Sequence, residues 1–145
     1  MEASELHSVG LDVHGREVQL TPDAALAWSK MKRASEADAV ELQLISGFRS
    51  VARQHEIFER KLSNGDSLEE ILRVSAYPAF SEHHTGRAVD IGSPYAEHLT
   101  EEFEATPEFR WLSRHAAVFG FILSYPKNNP HGIVYEPWHW VFTEF

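Results

Sequence analysis

Residues 81–90 read SEHHTGRAVD and residues 136–140 read EPWHW. Together these segments offer two imidazoles and a carboxylate at ligand-like positions, and a second carboxylate lies three residues before the last imidazole. Catalytic zinc ions are commonly held by three nitrogen or carboxylate ligands that leave a fourth position for water. A further carboxylate near that water can take its proton. The two segments therefore supply every group that a metal-assisted hydrolase needs.

The spacing within the first segment is compatible with two side chains that face one point. Asp90 follows His83 by seven residues, across a turn at Thr85 and Gly86. Glycine permits backbone conformations that are closed to other residues, so a bend at Gly86 can return the chain toward His83. Taken singly, His83 would be read as a turn histidine and Asp90 as a solvated strand end. The ligand interpretation is favoured because the second segment accompanies them.

Glu136 and His139 of the second segment can reach the same point only if the backbone between them is irregular. Glu136 and His139 are three residues apart, and that spacing places side chains on opposite faces of a regular strand. Pro137 cannot donate to a sheet ladder and favours a strand start or a bulge. We therefore expect Glu136 in a loop before the strand and His139 at the beginning of the strand.

A third block lies upstream, where residues 46–50 read SGFRS and Gln54 follows. With this block, the patterns Ser-x-His-x-x-Gly-x-Ala-x-Asp and Glu-Pro-Trp-His-Trp resemble the VanY-type zinc D,D-carboxypeptidases. That group also contains VanX-type D-Ala-D-Ala dipeptidases, L,D-carboxypeptidases and the hedgehog zinc domain. The three blocks stand in the order in which that group has them, and they span about residues 44–142.

The resemblance implies a role for each of the strongest candidates. It makes His83, Asp90 and His139 the ligands of one Zn²⁺ per chain and makes Glu136 the general base. It also associates Arg49 with the carbonyl or carboxylate of the substrate. A guanidinium suits that role because it can stabilise an oxyanion or grip a carboxylate with two hydrogen bonds. The ordinary alternative for Arg49 is a surface arginine in a tight turn.

Four other residues are expected to line the substrate groove, of which Gln54 and Ser81 stand at positions that match the family. These are Gln54, Ser81, Tyr125 and Trp138, of which Trp138 could equally be a core aromatic. His84 stands where relatives often have glutamine, and its adjacency to His83 argues against a second ligand there. Val141 stands where relatives often have arginine, which leaves substrate preference open and the metal centre untouched.

The composition bounds the remaining possibilities. The chain has 145 residues, of which 43% are hydrophobic and 24% charged, as in ordinary globular domains. No cysteine is present, which excludes disulfides and thiolate ligands. A formal charge of −9 argues against a nucleic-acid partner, and no apolar run reaches membrane-spanning length.

The first residues do not resemble a signal peptide. If Met1 is the natural start we expect a cytoplasmic protein, and otherwise a periplasmic or extracellular one.

Hydrophobic periodicity and turn residues predict one α+β domain over residues 1–145, with an antiparallel sheet that bears the zinc site. Its helices are expected to pack mainly from the N-terminal half. The predicted helices are at about residues 22–34, 50–62, 67–75 and 106–120. The predicted strands are at residues 40–44, 88–91, 121–125, 133–135 and 138–142.

The resemblance implies a carboxypeptidase that removes the terminal D-alanine from peptidoglycan stem peptides or muropeptides. Cleavage of D-Ala-D-Ala stems is slightly favoured over cleavage of L,D tetrapeptides. A phage-type peptidoglycan endopeptidase and a non-catalytic zinc-containing binding module stay open as alternatives. No membrane or nucleic-acid partner is expected, and the oligomeric state is left open.

Overall fold

The computed structural model of the protein describes residues 2–67, 82–130 and 134–143. Within these ranges none of the helices has the length and apolar character needed to cross a membrane. Three short 3-10 helices lie at Glu82–Thr85, Glu101–Ala105 and Ala116–Phe119. In chain order, the longer elements are β1 His7–Leu11, β2 Glu17–Leu20, α1 Pro22–Ala37, β3 Gln43–Ser46, α2 Val51–Ser63, β4 Ala88–Gly92, α3 Pro107–His115, β5 Phe121–Leu123 and β6 His139–Phe142.

Four strands form an antiparallel sheet in the order β3-β4-β6-β5. Strand β4 lies inside the sheet, and all five of its residues are buried. Asp90 on β4 is paired with Ser46 on one neighbour and with His139 on the other. Paired residues of antiparallel strands point to the same face. The register therefore aligns three polar side chains in one row across the sheet.

The opposite face of the sheet carries the hydrophobic core. Successive side chains of a strand alternate between faces, so Val89 and Ile91 point away from Asp90. Both are fully buried in a cluster with Trp140 of β6 and with Trp28 and Met31 of α1. The α+β architecture, with an antiparallel sheet that carries the polar row, agrees with the fold class expected from the sequence.

The capping residues begin the helices where the sequence predicts them. Thr21 precedes Pro22 at the first position of α1, although its side chain makes no capping bond. The hydroxyl of Ser50 accepts a hydrogen bond from the amide of Arg53, and Thr106 caps α3 in the same way. The last predicted helix divides, because α3 ends at His115 and a 3-10 turn continues to Phe119.

The strand predictions need several corrections. The predicted strand at residues 40–44 begins three residues later and extends to Ser46. The strand at 121–125 ends at Leu123, and β6 begins at His139. Val134 and Tyr135 are not in a strand, whereas residue 133 and residues 68–75 of the predicted short helix lie outside the described ranges.

The antiparallel hairpin of β1 and β2 was absent from the sequence-based expectation. Strand β1 gave little signal because four of its five residues are exposed and the pairing is irregular between Ser8 and Gly10. On β2, Val18 and Leu20 alternate inward and pack into the core. Sheet structure therefore precedes the first helix, whereas the sequence predicted no strand before residue 40.

The hairpin supports the loop that follows β3. The amide of Phe48 donates to the carbonyl of Gln19 at 2.9 Å. A Cβ atom at Gly47 would lie 2.5 Å from Cγ1 of Val18 and 3.0 Å from the carbonyl oxygen of Gln19. Only glycine fits this approach without displacement of one of the two segments.

We predict that Gly47→Ala lowers the free energy of unfolding by about 1–3 kcal/mol, because the added methyl group overpacks a closed contact. Chemical denaturation of four proteins measures it: wild type, Gly47→Ala, Val18→Ala and the double variant. The double variant should lose less stability than the sum of the single variants, because Val18→Ala removes the nearest clashing atom. Strictly additive losses would contradict the proposed contact.

Candidate metal centre and surrounding residues

His83 reaches the polar row of the sheet from a tight turn. The 3-10 helix Glu82–Thr85 ends at Gly86, which has a φ of +70°. The amide of Gly86 donates to the carbonyl of His83 at 3.3 Å, and a Cβ at this position would lie 3.0 Å from Cγ2 of Thr21. The left-handed conformation and the close packing both favour glycine. The bend expected at Gly86 is thus observed.

Three buried side chains meet at the centre of the site. His83, Asp90 and His139 each offer one ligand atom, and these atoms all lie within 4.8 Å of one another. Nε2 of His83 is 3.2 Å from Oδ2 of Asp90, and Nδ1 of His139 is 3.0 Å from Oδ1. All three residues are at most 5% exposed. The group predicted to bind the metal is therefore assembled in one place and could hold a metal ion.

Each of the three side chains also has a hydrogen-bond partner outside the group. Nδ1–H of His83 donates to the carbonyl of Gly47 at 2.8 Å. The hydroxyl of Ser46 donates to Oδ2 of Asp90 at 2.7 Å, and Nε2 of His139 lies 2.9 Å from Oε1 of Glu82. Outer hydrogen bonds of this kind fix the orientation of metal ligands. The two imidazoles and the carboxylate, together with the hydrogen bonds that orient them, fit a Zn²⁺ ion.

Buried opposite charges hold the centre together. Burial alone would raise the pKa of Asp90, but the neighbouring His83 and the hydrogen bond with His139 bring that pKa well below its usual range. Burial alone would lower the pKa of His139, yet hydrogen bonds to Asp90 and Glu82 raise it to about 10. The carboxylates therefore favour positive charge at this point of the sheet, as a cation requires.

Glu136 lies beside the centre, in the loop that precedes β6. The amide of His139 donates to the carbonyl of Glu136 at 3.2 Å, so a turn places both residues at the start of the strand. Glu136 is 8% exposed, and burial raises its pKa to about 7. The positive charge of His139 opposes this shift, whereas Asp90 adds to it. The predicted position of Glu136 is confirmed, and its pKa suits proton transfer near neutral pH.

Arg49 lies in the loop between β3 and α2, as predicted. Its Nη1 donates to Oε1 of Gln54 at 2.9 Å, and the charges of Asp90 and Glu136 act on it. Burial lowers the pKa of Arg49, but a guanidinium stays charged in proteins. Gln54 is only 1% exposed, so in this structure it orients Arg49, and its contact with substrate stays a prediction.

The remaining predicted groove residues have different surroundings. The ring of Tyr125 stacks on His139 with centroids 4.9 Å apart, so Tyr125 forms part of the wall beside the centre. Trp138 is half-buried and packs against the hydrophobic core. Ser81 lies outside the described residues. His84 is not in the group of ligand atoms, and its Nδ1–H donates to the carbonyl of Arg49 at 2.7 Å.

Glu82 is a site residue that was not among the candidates from the sequence. It begins the 3-10 helix, and its carboxylate contacts His139, which lies 57 residues away in the chain. Burial alone would raise the pKa of Glu82, but hydrogen bonds to His139 and Ser124, together with the charges of His139 and His83, lower it. The only sequence signal is a carboxylate directly before His83, and spacing alone does not show where it points.

A family model described as D-alanyl-D-alanine carboxypeptidase, VanY, matches residues 17–145. The chain belongs to the VanY family. This assignment confirms the resemblance carried by the three sequence blocks. It covers the hairpin strand β2 as well, which precedes all of those blocks.

Individual relatives differ in length from this VanY family member. YodJ of Bacillus subtilis (strain 168) is 39% identical over 121 residues, which cover 81% of this chain and 44% of YodJ. The chain therefore spans less than half the length of that relative. The structure of the LD-carboxypeptidase LdcB matches with a TM-score of 0.88 and 33% identity, over 98% of this chain and 69% of that one.

A third comparison bears on the metal. A mutant of the D,D-pentapeptidase VanY from a VanB-type resistance cassette was solved in complex with Zn(II). It matches with a TM-score of 0.74 and 27% identity, over 99% of this chain and 81% of that one. The VanY family member described here thus shares its fold with a zinc-bound protein.

We predict that His139→Ala abolishes stoichiometric binding of Zn²⁺, because it removes one of the three side chains expected to bind the metal. Elemental analysis after dialysis against Zn²⁺ measures the metal content, and circular dichroism checks the fold. His14→Ala is the matched control, since His14 is exposed and outside the ligand group. Equal metal content in wild type and His139→Ala would remove His139 from the ligand set.

Proposed function

We propose that this protein is a zinc-dependent carboxypeptidase that removes the terminal D-alanine from peptidoglycan-derived peptides. The proposal rests above all on one observation. A buried group of two histidines and an aspartate, with ligand atoms within 4.8 Å of one another, has a buried glutamate and a half-buried arginine beside it. Membership of the VanY family supports the same conclusion.

His83, Asp90 and His139 would hold one Zn²⁺ ion per chain. Two nitrogen donors and one carboxylate are a common catalytic zinc set. The likeness to a Zn(II)-bound VanY supports zinc among the metals that such a set accepts. When bound, the ion would act as a Lewis acid toward the scissile carbonyl and lower the pKa of a water molecule.

Glu136 would act as the general base and then as the general acid. Its carboxylate can take a proton from the attacking water and return that proton to the departing amine. A pKa of about 7 allows both steps at neutral pH, because the two protonation states then have similar free energies. Glu136 is 8% exposed, so this carboxylate has little contact with bulk water.

Arg49 would receive either the developing oxyanion or the terminal carboxylate of the substrate. Two other arginines of the sequence blocks are engaged elsewhere. Arg53 contacts Glu56 at 3.1 Å, and Arg87 contacts Asp23 at 3.0 Å. Arg49 is instead held toward the centre by Gln54, so it is the cation that we assign to substrate binding.

The proposal includes two possible bonds, because similar proteins of both types are known. The likeness to LdcB, an LD-carboxypeptidase, favours cleavage of tetrapeptide stems before D-alanine. The likeness to the D,D-pentapeptidase VanY favours cleavage of D-Ala-D-Ala stems. Zinc and Glu136 would serve either bond equally, since chirality is sensed by the walls of the groove.

We predict that the zinc-loaded protein releases one D-alanine from a pentapeptide stem, from a tetrapeptide stem, or from both. Mass spectrometry of the products from each stem identifies the bond that is cut. Glu136→Gln should keep its zinc and its fold but lose about 10²–10⁴-fold in kcat, because only the proton-transfer group changes.

Two results would contradict the proposal. Cleavage of cross-linked stems without free D-alanine would indicate an endopeptidase. Zinc binding without turnover of either stem would indicate a binding module.

We further predict that Arg49→Lys lowers kcat/KM at least 10-fold, since a point ammonium cannot replace a planar guanidinium that makes two hydrogen bonds. Arg53→Lys is the matched control, because Arg53 is exposed on α2 and pairs with Glu56. Comparison of a free-acid stem with its C-terminal amide locates the contact. A strong wild-type preference for the free acid, absent in Arg49→Lys, assigns Arg49 to the carboxylate. An Arg49→Lys variant with normal kcat/KM would refute both roles.

A further inference from the structure

The proposed mechanism assigns no role to Glu82, although this residue contacts His139. It begins the 3-10 helix whose second residue is His83. Its Oε1 lies 2.9 Å from Nε2 of His139, and its side chain is 34% exposed. The carboxylate thus lies between a buried ligand and the open side of the site, and it is distinct from Glu136, the base.

The two ring nitrogens of His139 have different surroundings. Nδ1 faces Oδ1 of Asp90 at 3.0 Å, on the side where the ligand atoms converge, and Nε2 faces Glu82. A neutral imidazole that gives the lone pair of Nδ1 to a metal must carry its proton on Nε2. In the structure, Glu82 is the acceptor placed to receive that proton in a hydrogen bond.

Contacts on two sides fix the imidazole of His139 in different ways. The ring of Tyr125 stacks on it at an interplanar angle of 22°, which sets the plane of the imidazole. Stacking does not fix which edge of the ring faces which neighbour, because a half-turn about the Cβ–Cγ bond keeps the same plane. The hydrogen bond to Glu82 removes this ambiguity, because it ties Nε2 to a carboxylate at one edge of the ring.

We infer that Glu82 is a positioning residue that holds His139 in the tautomer and orientation needed to bind the metal through Nδ1. The inference rests on the proposed metal site and extends it by one carboxylate. Its counterpart for His83 is the carbonyl of Gly47, which accepts from Nδ1–H and leaves Nε2 for the metal. A carboxylate acceptor makes the imidazole more basic and strengthens its metal bond.

The first test is the affinity for Zn²⁺, measured by competition with a chromophoric chelator. Glu82→Leu should weaken the affinity about 10–100-fold, as is typical when an outer partner of a metal ligand is lost. Glu82→Gln should lose less, because its amide oxygen can still accept from Nε2–H. Glu36→Gln, which removes an exposed carboxylate on α1 outside the site, should bind as wild type does.

The outcomes separate this inference from the function it rests on. Wild-type affinity in a folded Glu82→Leu would overturn the positioning role, and a raised KM in that variant would then assign Glu82 to substrate contact. Failure of the wild-type chain to bind Zn²⁺ would refute the proposed metal site itself.

A second measurement uses the wild-type chain alone, so it does not depend on the folding of any variant. Long-range ¹H–¹⁵N NMR spectra of the zinc-loaded protein report which nitrogen of His139 carries the proton. We expect the proton on Nε2 and a metal-shifted Nδ1. Coordination through Nε2 would overturn the inference, because Glu82 would then occupy the metal's side of the ring.

Discussion

The pairing of Asp90 with both neighbouring strands is the constraint on which the site depends. Asp90 is opposite Ser46 on β3 and opposite His139 on β6, so the hydrogen-bond ladder of the sheet sets the distances between the polar side chains. The β3 pairing shifts between Leu44 and Ser46, which brings the hydroxyl of Ser46 to Asp90. A slip of one residue would turn these side chains to the hydrophobic core.

Elements outside the row of Ser46, Asp90 and His139 support the site through packing and hydrogen bonds. The hairpin packs on Gly47 through Val18, and the carbonyl of Gly47 accepts from the ring of His83. The backbone amide of Arg49 donates to the carbonyl of His83 at 3.1 Å, so the same loop carries the arginine and supports the ligand. Stability of the N-terminal strands and geometry of the site are therefore coupled through one glycine.

The sequence predicted what depends on local chemistry and missed what depends on distant pairing. Gly86 and Pro137 mark turns that can be recognised in the sequence, because few residues allow those conformations. The ligand group could be recognised from short motifs. Strand β1 could not be predicted, since its side chains are mostly exposed and show no alternation. The contacts of Glu82 with His139 and of Gln54 with Arg49 require the folded chain, because neither spacing nor periodicity shows which way a polar side chain turns.

The electrostatics explain why so polar a site can lie within a buried sheet. Glu82, Asp90 and Glu136 bring three carboxylates to one region, and like charges in a low dielectric oppose one another. The repulsion between these carboxylates affects the three groups unequally. Asp90 keeps its negative charge because it contacts two imidazoles, whereas burial raises the pKa of Glu136 to about 7. The unequal environments thus separate a carboxylate suited to holding a cation from one suited to carrying a proton.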